Sequence, residues 1–190
     1  MSSDPAQPGP RPTPGDEQLM LRVRAGDLAA FEQLVLRYQA EAWRVAYRFT
    51  GDAAQAEDLA QDAFLKILEA APRYRPTATF RTYFYRVLSR LCLDYRRKKR
   101  PVLGEPLGTV ADDGCPPIER ASLDERNLCI QTALDALPTD YRLAVVLRYF
   151  EGLSGAEMAA AMGRSVKAVE RLLARAKSAL EPQLRRFLDT

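Results

Sequence analysis

Residues 154–180 read SGAEMAAAMGRSVKAVERLLARAKSAL, and this stretch decides the fold. Ser154 and Glu157 have the spacing of a capping box, which predicts a short helix that runs to about Met162. Gly163-Arg164-Ser165 predicts a tight turn, and the serine can cap a second, longer helix. A short helix, a glycine-containing turn and a longer helix together make a helix-turn-helix.

The second helix of this motif has one apolar face and one basic face when its residues are projected at about 100° per residue. The apolar face is predicted to pack on the preceding helices and leaves the basic face free for a phosphate-lined groove. Residues near the start of such a helix meet base edges in the major groove of DNA. We therefore expect DNA contacts from Arg164, Ser165, Lys167, Arg171 and Arg175. The alternative is a solvated basic face on a helical hairpin.

Helical periodicity continues over most of the chain, and it stops at two Pro-rich stretches. The first stretch, residues 1–15, predicts a disordered tail, and the second, residues 101–118, predicts a flexible linker with acidic positions. No segment of any length has the period of a strand. We expect an all-α fold of two small helical domains, at 16–100 and 119–190, joined by that linker.

The first of these domains should contain three long helices. An amphipathic helix capped by Asp27 covers 31–49, and Asp52 caps the next, at 53–70. A third runs over 79–100 and stops before Pro101. In the second domain, further helices are expected at 120–136 and 139–150.

The third helix, FRTYFYRVLSRLCLDYRRKKR at 80–100, combines aromatic and basic residues. Aromatic rings stack on unpaired bases while cations follow the backbone, so this composition suits single-stranded nucleic acid. Phe80 and Phe84 are expected to be core residues, since most aromatics at helical spacing are buried. We expect nucleic-acid contacts instead from Tyr83, Arg86, Arg90, Arg97 and Lys98.

The helix at 53–70 has a different exposed face, with acidic and apolar residues mixed. Its members are Asp58, Gln61, Asp62 and Leu65. Such a stripe is a poor surface for DNA and suits a protein partner whose own surface is basic and partly apolar. An ordinary solvated helix is the alternative.

Composition limits the remaining classes of function. The chain has 47% apolar and 28% charged residues and a net charge of only +3, which is ordinary for a globular protein. Histidine is absent and the three cysteines are widely spaced, so we expect no metal, no cofactor, no disulfide framework and no enzyme activity. Without an apolar run or secretory signal, a reducing cytoplasmic location is expected.

Three blocks of this sequence, in the same order, resemble the extracytoplasmic-function (ECF) sigma factors of the sigma-70 family. GDAAQAEDLAQDAFLKIL at 51–68 is similar to the helix of region two that binds core RNA polymerase. The block at 80–100 is similar to the following helix, which recognises and helps to melt the promoter minus-ten element. The block at 137–180 resembles region four, whose helix-turn-helix reads the minus-thirty-five element.

The resemblance implies an alternative sigma factor with bacterial core polymerase, promoter DNA and an anti-sigma factor as partners. It places core binding on the exposed face of the 53–70 helix. Two departures affect base preference, since Tyr83 and Arg90 stand where the family usually has tryptophan and asparagine. A free-standing helix-turn-helix regulator and a sigma mimic that binds only an anti-sigma factor are the rival readings.

Overall fold

The computed structural model describes residues 14–99 and 123–188, and within these ranges all regular secondary structure is helical. The prediction of an all-α fold with two helical domains is confirmed. The predicted tail at 1–15 lies almost wholly outside the described residues and the predicted linker at 101–118 wholly outside them, so the domain limits stay a prediction. The helices are α1 (Asp16–Arg24), α2 (Leu28–Thr50), α3 (Ala53–Ala70), α4 (Phe80–Lys99), α5 (Leu123–Asp135), α6 (Thr139–Val145), α7 (Gly155–Met162) and α8 (Val166–Leu188).

The caps predicted from the sequence are present at the starts of α2 and α3. The carboxylate of Asp27 accepts a hydrogen bond of 3.1 Å from the backbone N–H of Ala30. The carboxylate of Asp52 accepts from the N–H groups of Ala54 and Gln55 at 3.0 and 3.1 Å. Each cap satisfies a donor that the first turn of a helix leaves unpaired.

Two local features differ from the sequence-based expectation. The short helix α1 was not predicted; at nine residues it depends on tertiary packing, which buries Leu19, Met20 and Val23. The helix expected over 139–150 is α-helical only to Val145 and continues as a π-helical turn over Val146–Phe150. No sequence signal marks such a turn.

The N-terminal unit, formed by α1 to α4, encloses an aromatic core. The Tyr38 ring of α2 lies 5.2 Å from the Phe80 ring and 4.8 Å from the Phe84 ring of α4. Both phenylalanines are fully buried, as the sequence predicts, and Leu88 continues the same buried face. This packing fixes the rotation of α4 about its axis and therefore the direction of its arginines.

The C-terminal unit, formed by α5 to α8, is held by the apolar face of the last helix. Val169 and Ala176 are fully buried and Leu172 nearly so, as predicted. The unit also packs against the N-terminal unit, chiefly through α7 on α4. The side chain of Arg142 is buried at this junction, and its guanidinium donates to the backbone carbonyl of Phe49 at 2.8 Å.

The cysteines divide into two kinds. Cys92 is a free thiol on the buried face of α4, and burial raises its pKa to about 12. Cys129 of α5 is buried and disulfide-bonded, a bond that the sequence analysis did not predict. Cys115 lies outside the described residues.

Across 14–99 and 123–188, no helix is both long and apolar enough to cross a membrane.

The capping box of α7 offers a direct test of the fold. The Ser154 hydroxyl accepts from the Glu157 backbone N–H at 3.3 Å, and the Glu157 carboxylate accepts from the Ser154 backbone N–H at 2.8 Å. Ser154→Ala should cost about 0.5–2 kcal/mol of unfolding free energy. Thermal unfolding followed by circular dichroism should show that the midpoint temperature falls by about 2–4 °C for each kcal/mol of unfolding free energy lost. Ser154→Thr keeps an acceptor and is the control; an equal loss in both variants would argue against the cap.

Candidate nucleic-acid and protein interfaces

The turn before α8 presents its basic residues to solvent. Gly163 has φ of 64°, a left-handed conformation that glycine adopts without a steric penalty, and it ends α7. The Ser165 hydroxyl accepts from the Ala168 backbone N–H at 3.2 Å, so this serine caps α8 as predicted. The remaining predicted DNA-contacting residues are all exposed: Arg164, Lys167, Arg171 and Arg175.

Two of these arginines are engaged within the chain. The guanidinium of Arg164 pairs with the carboxylate of Asp140 at 2.5 Å, with 38% and 39% of the two side chains exposed. The Nε of Arg171 donates to the backbone carbonyl of Lys167 at 3.3 Å. Exposed ion pairs contribute at most about 1 kcal/mol, so a phosphate can replace Asp140 at little cost. The sequence analysis did not single out Asp140, which is distant in sequence from the turn.

The predicted basic face of α4 is also at the surface. Arg86, Arg90, Arg97 and Lys98 are exposed. Arg97 forms an ion pair with Asp94 one turn earlier in the same helix. Arg86, Arg90 and Arg97 line one side of α4 together with Arg96, and this concentration of positive charge attracts a phosphate backbone.

Tyr83 is placed differently from these cations, because its ring is half-buried at the edge of the core. The ring lies 6.2 Å from that of Phe80 and 5.4 Å from that of Tyr74, and burial raises the pKa of its hydroxyl. Tyr83 therefore offers part of a ring to a ligand, and the rest packs internally.

Tyr74 is a residue that the sequence analysis missed. It follows the 3-10 turn Ala71–Arg73, is 5% exposed, and contributes the second ring of the Tyr74–Tyr83 pair. Its hydroxyl is buried and has no hydrogen-bond partner among the described residues. The only available signal was an aromatic residue between Pro72 and Pro76 in a stretch that reads as a loop.

The acidic and apolar face of α3 is exposed as predicted. Asp58, Gln61 and Asp62 face solvent, and Leu65 is 55% exposed. An exposed leucine among carboxylates favours a protein partner over a nucleic acid, because the carboxylates repel phosphate.

A groove beside this face extends the candidate protein interface onto α2. It has a volume of about 530 Å³ and is lined by Val35, Gln39, Ala40, Trp43, Glu57, Ala60, Gln61 and Phe64. The indole of Trp43 is 39% exposed and stacks on the Tyr47 ring at 4.9 Å between centroids. Leu36 is 62% exposed on the same helix. The single tryptophan of the chain could have indicated this surface, since tryptophan is enriched where proteins bind one another.

Comparisons with known proteins identify relatives of both helical units. Residues 34–102 match the family model for sigma-70 region 2, and residues 127–180 match that for sigma-70 region 4. The RNA polymerase sigma-H factor of Pseudomonas aeruginosa is 35% identical over 184 residues, which cover 91% of this chain and 95% of that protein. The ECF RNA polymerase sigma factor SigW of Bacillus subtilis is 32% identical, over 86% of this chain and 94% of that protein.

A solved structure is similar over nearly the whole chain. CnrH, solved in complex with the cytosolic domain of CnrY, aligns with a TM-score of 0.69 and 28% identity, covering 90% of this chain and 97% of that one. The two family models together cover more than half of the 190 residues. This chain therefore belongs to the extracytoplasmic-function sigma factors of the sigma-70 family.

Proposed function

We propose that this chain binds bacterial core RNA polymerase and directs it to promoters, using a separate surface for each of three contacts. It acts as an initiation subunit in the cytoplasm and catalyses no reaction of its own. The observation that carries the proposal is the distribution of charge. Positive charge is concentrated on α4 and on the turn and first half of α8, whereas α3 exposes carboxylates and a leucine.

The proposed minus-thirty-five contact is made by the helix-turn-helix. Arg164, Lys167, Arg171 and Arg175 are exposed, and Ser165 stands at the start of the helix. Arginine suits bidentate contact with guanine, and lysine more often holds phosphate. The buried opposite face of α8 supports this assignment, because it keeps these side chains pointing outwards.

The proposed minus-ten contact is made by α4. Arg86, Arg90, Arg97 and Lys98 would follow the backbone of the displaced strand, and the partly exposed ring of Tyr83 would stack on an unpaired base. The Tyr74 ring behind Tyr83 supports this role, since it restricts the position that the Tyr83 ring takes. Stacking here should be weaker than on the tryptophan usual in the family, because a phenol ring has less area.

The proposed core-polymerase contact is made by Asp58, Gln61, Asp62 and Leu65 of α3. The adjoining groove with Trp43 extends the apolar part of the surface. Carboxylates around an exposed apolar centre suit a partner surface that is basic at its rim.

An anti-sigma factor is the third proposed partner, after core polymerase and promoter DNA. The similar protein CnrH has been solved with the cytosolic domain of CnrY bound to it. Because this chain aligns with CnrH over 90% of its length, we propose that it also binds a protein partner, an anti-sigma factor that holds this chain inactive.

The deciding experiment is run-off transcription with purified protein, sigma-free core polymerase and fragments of genomic DNA. Discrete transcripts that require this protein are the expected result. A free-standing regulator would bind DNA fragments without the polymerase and would not start transcripts on core enzyme, and a sigma mimic would do neither. Absence of both transcripts and core binding would contradict the proposal.

Charge reversal on α3 tests the core-binding surface. Asp58→Arg should weaken competition with the housekeeping sigma factor for core polymerase, because it brings a cation against a basic partner surface. Glu170→Arg makes the same change of charge on α8 and is the matched control. We expect a large loss of core affinity for the first variant only, measured by competition with a labelled sigma factor; equal affinities would refute the assignment of α3.

Truncation on α8 tests the minus-thirty-five surface. Arg171→Ala should cost about 1–3 kcal/mol in promoter binding by the holoenzyme, with core affinity unchanged. Arg126→Ala removes an exposed charge from α5 and serves as the control. Binding should be titrated at several salt concentrations. If Arg171 contacts a phosphate, its removal should lower the slope of log affinity against log salt concentration by about one. If it contacts a base, its removal should mainly change the sequence preference. A loss of core affinity as large as the loss of promoter affinity would show that Arg171 has another role.

A further inference from the structure

We propose that the cleft between α4 and the C-terminal unit binds a small ligand that carries several phosphate groups. The cleft has a volume of about 750 Å³, which lies in the range of small-molecule sites. One wall is formed by α4, and the other by the start of α6, the end of α7 and Gly163. The inference goes beyond the proposed function and does not depend on the minus-ten role of α4, although the two share arginines.

The α4 wall of the cleft is strongly basic. It carries four arginines, which are Arg86, Arg90, Arg96 and Arg97. Residues 86, 90 and 97 lie within about 40° of one another around the helix axis, because each residue of an α-helix turns about 100°. These three arginines therefore form a row along one face of α4, and all three are exposed.

The two carboxylates that line the cleft are already paired with arginines. Asp94 pairs with Arg97, and Asp140 pairs with Arg164. The other three cleft arginines have no ion-pair partner within residues 14–99 and 123–188. Two of them stand one helical turn apart, a spacing at which like charges repel each other. The cleft thus has an excess of positive charge, which attracts anions.

A buried guanidinium next to the cleft adds to this charge. Arg142 follows Tyr141, which lines the cleft, and is only 1% exposed. Its Nε and Nη2 atoms have no hydrogen-bond partner among the described residues. The pKa of Arg142 is lowered to about 10, mainly by burial and in addition by the charge of Arg96. Arg96 is therefore close enough to a second cation to repel it, and negative charge in the cleft would reduce this repulsion.

The spacing of the arginine row favours several phosphates over one. Arg86 and Arg90 are about 6 Å apart along the helix axis, and Arg97 lies about 10 Å further along. A guanidinium binds a phosphate through two parallel hydrogen bonds, so each fork is suited to one phosphate group. A single phosphate can contact only part of the row, whereas a chain of two or three phosphates contacts more of it.

The remaining lining residues favour a nucleoside polyphosphate over an inorganic chain. Leu93, Pro138 and Met162 give the cleft an apolar part, and Thr139 and Tyr141 add hydroxyl groups. Apolar side chains with an aromatic ring suit the base of a nucleotide. Inorganic triphosphate has no group to place there. We therefore expect a nucleoside triphosphate to bind more tightly than inorganic triphosphate.

Isothermal titration calorimetry on the full chain tests the site. The probes are adenosine triphosphate, guanosine triphosphate, inorganic triphosphate and orthophosphate, each at an ionic strength of about 0.15 M, which screens exposed charges. We expect one saturable site per chain for each triphosphate and much weaker binding of orthophosphate. Absence of saturable triphosphate binding, or equally tight binding of orthophosphate, would overturn the inference. Inorganic triphosphate binding as tightly as the nucleotides would support a site for the phosphate chain alone.

Removal of one cleft arginine tests the location of the site. Arg90→Met keeps an unbranched apolar chain and should weaken triphosphate binding by about tenfold, the loss of a charge-assisted hydrogen bond. Arg126→Met makes the same change at an exposed position of α5 outside the cleft and is the matched control. An equal loss in both variants would show that the anion responds only to the total charge of the chain.

The arginine test remains usable whatever the outcome for folding or for promoter recognition. Arg90 is exposed, so circular dichroism should show an unchanged fold; if it does not, Arg86→Met makes the same comparison at another exposed position. The titrations contain no DNA. Their failure would therefore leave the proposed minus-ten contact standing, and failure of that contact would leave the ligand site standing.

Asp140 provides a test of the opposite sign. Its carboxylate lines the cleft from the C-terminal unit. Asp140→Asn removes a negative charge and releases Arg164, so triphosphate binding should tighten by about two- to fivefold. Glu170→Gln makes the same change of charge at an exposed position of α8 outside the cleft and is the control. The absence of a gain, or the same gain in both variants, would contradict a ligand held between the two walls.

Discussion

The burial of one face of α4 is the constraint on which the other features depend. Phe80, Phe84 and Leu88 have no exposed surface, and the two rings contact Tyr38 of α2 within about 5 Å. Burying aromatic side chains makes one of the largest favourable contributions to the folding free energy of a small helical unit. This packing therefore fixes the rotation of α4 about its axis. Its arginines must then point away from that core. The same rotation turns Arg81 and Tyr85 towards the C-terminal unit.

The junction between the units is chemically different from this core. It contains a buried arginine, Arg142, whose guanidinium contacts the Phe49 carbonyl and Asp135, and burial lowers its pKa to about 10. Only the arginine is buried, since 49% of the Asp135 side chain is exposed, and the cost of removing the guanidinium from water offsets much of what the pairing contributes. Such contacts define one arrangement of the units and hold it less tightly than an apolar seam of equal area would.

Membership of the sigma-70 family accounts for the order of the helices. The exposed surfaces carry further contacts, among them the Tyr83 ring against Tyr74 and the Arg164–Asp140 ion pair beside the start of α8. These residues lie at the edges of the surfaces, where a substitution changes what is bound without disturbing the apolar faces that hold α4 and α8.

The sequence by itself determined the longer helices, the caps of α2, α3 and α7, and the faces of α4 and α8, because these depend on neighbours three and four residues apart. Asp27, Asp52 and Ser154 each cap the helix that follows, and the predicted buried residues of α8 are buried or partly buried. Only the tertiary structure decided which polar groups meet. The short helix α1, the π-helical turn, the Tyr74 ring against Tyr83 and the place of Tyr85 between Glu41 and Glu151 all join residues distant in sequence or follow from packing. Periodicity carries no information about such pairs, because their geometry is set only when the helices are brought together.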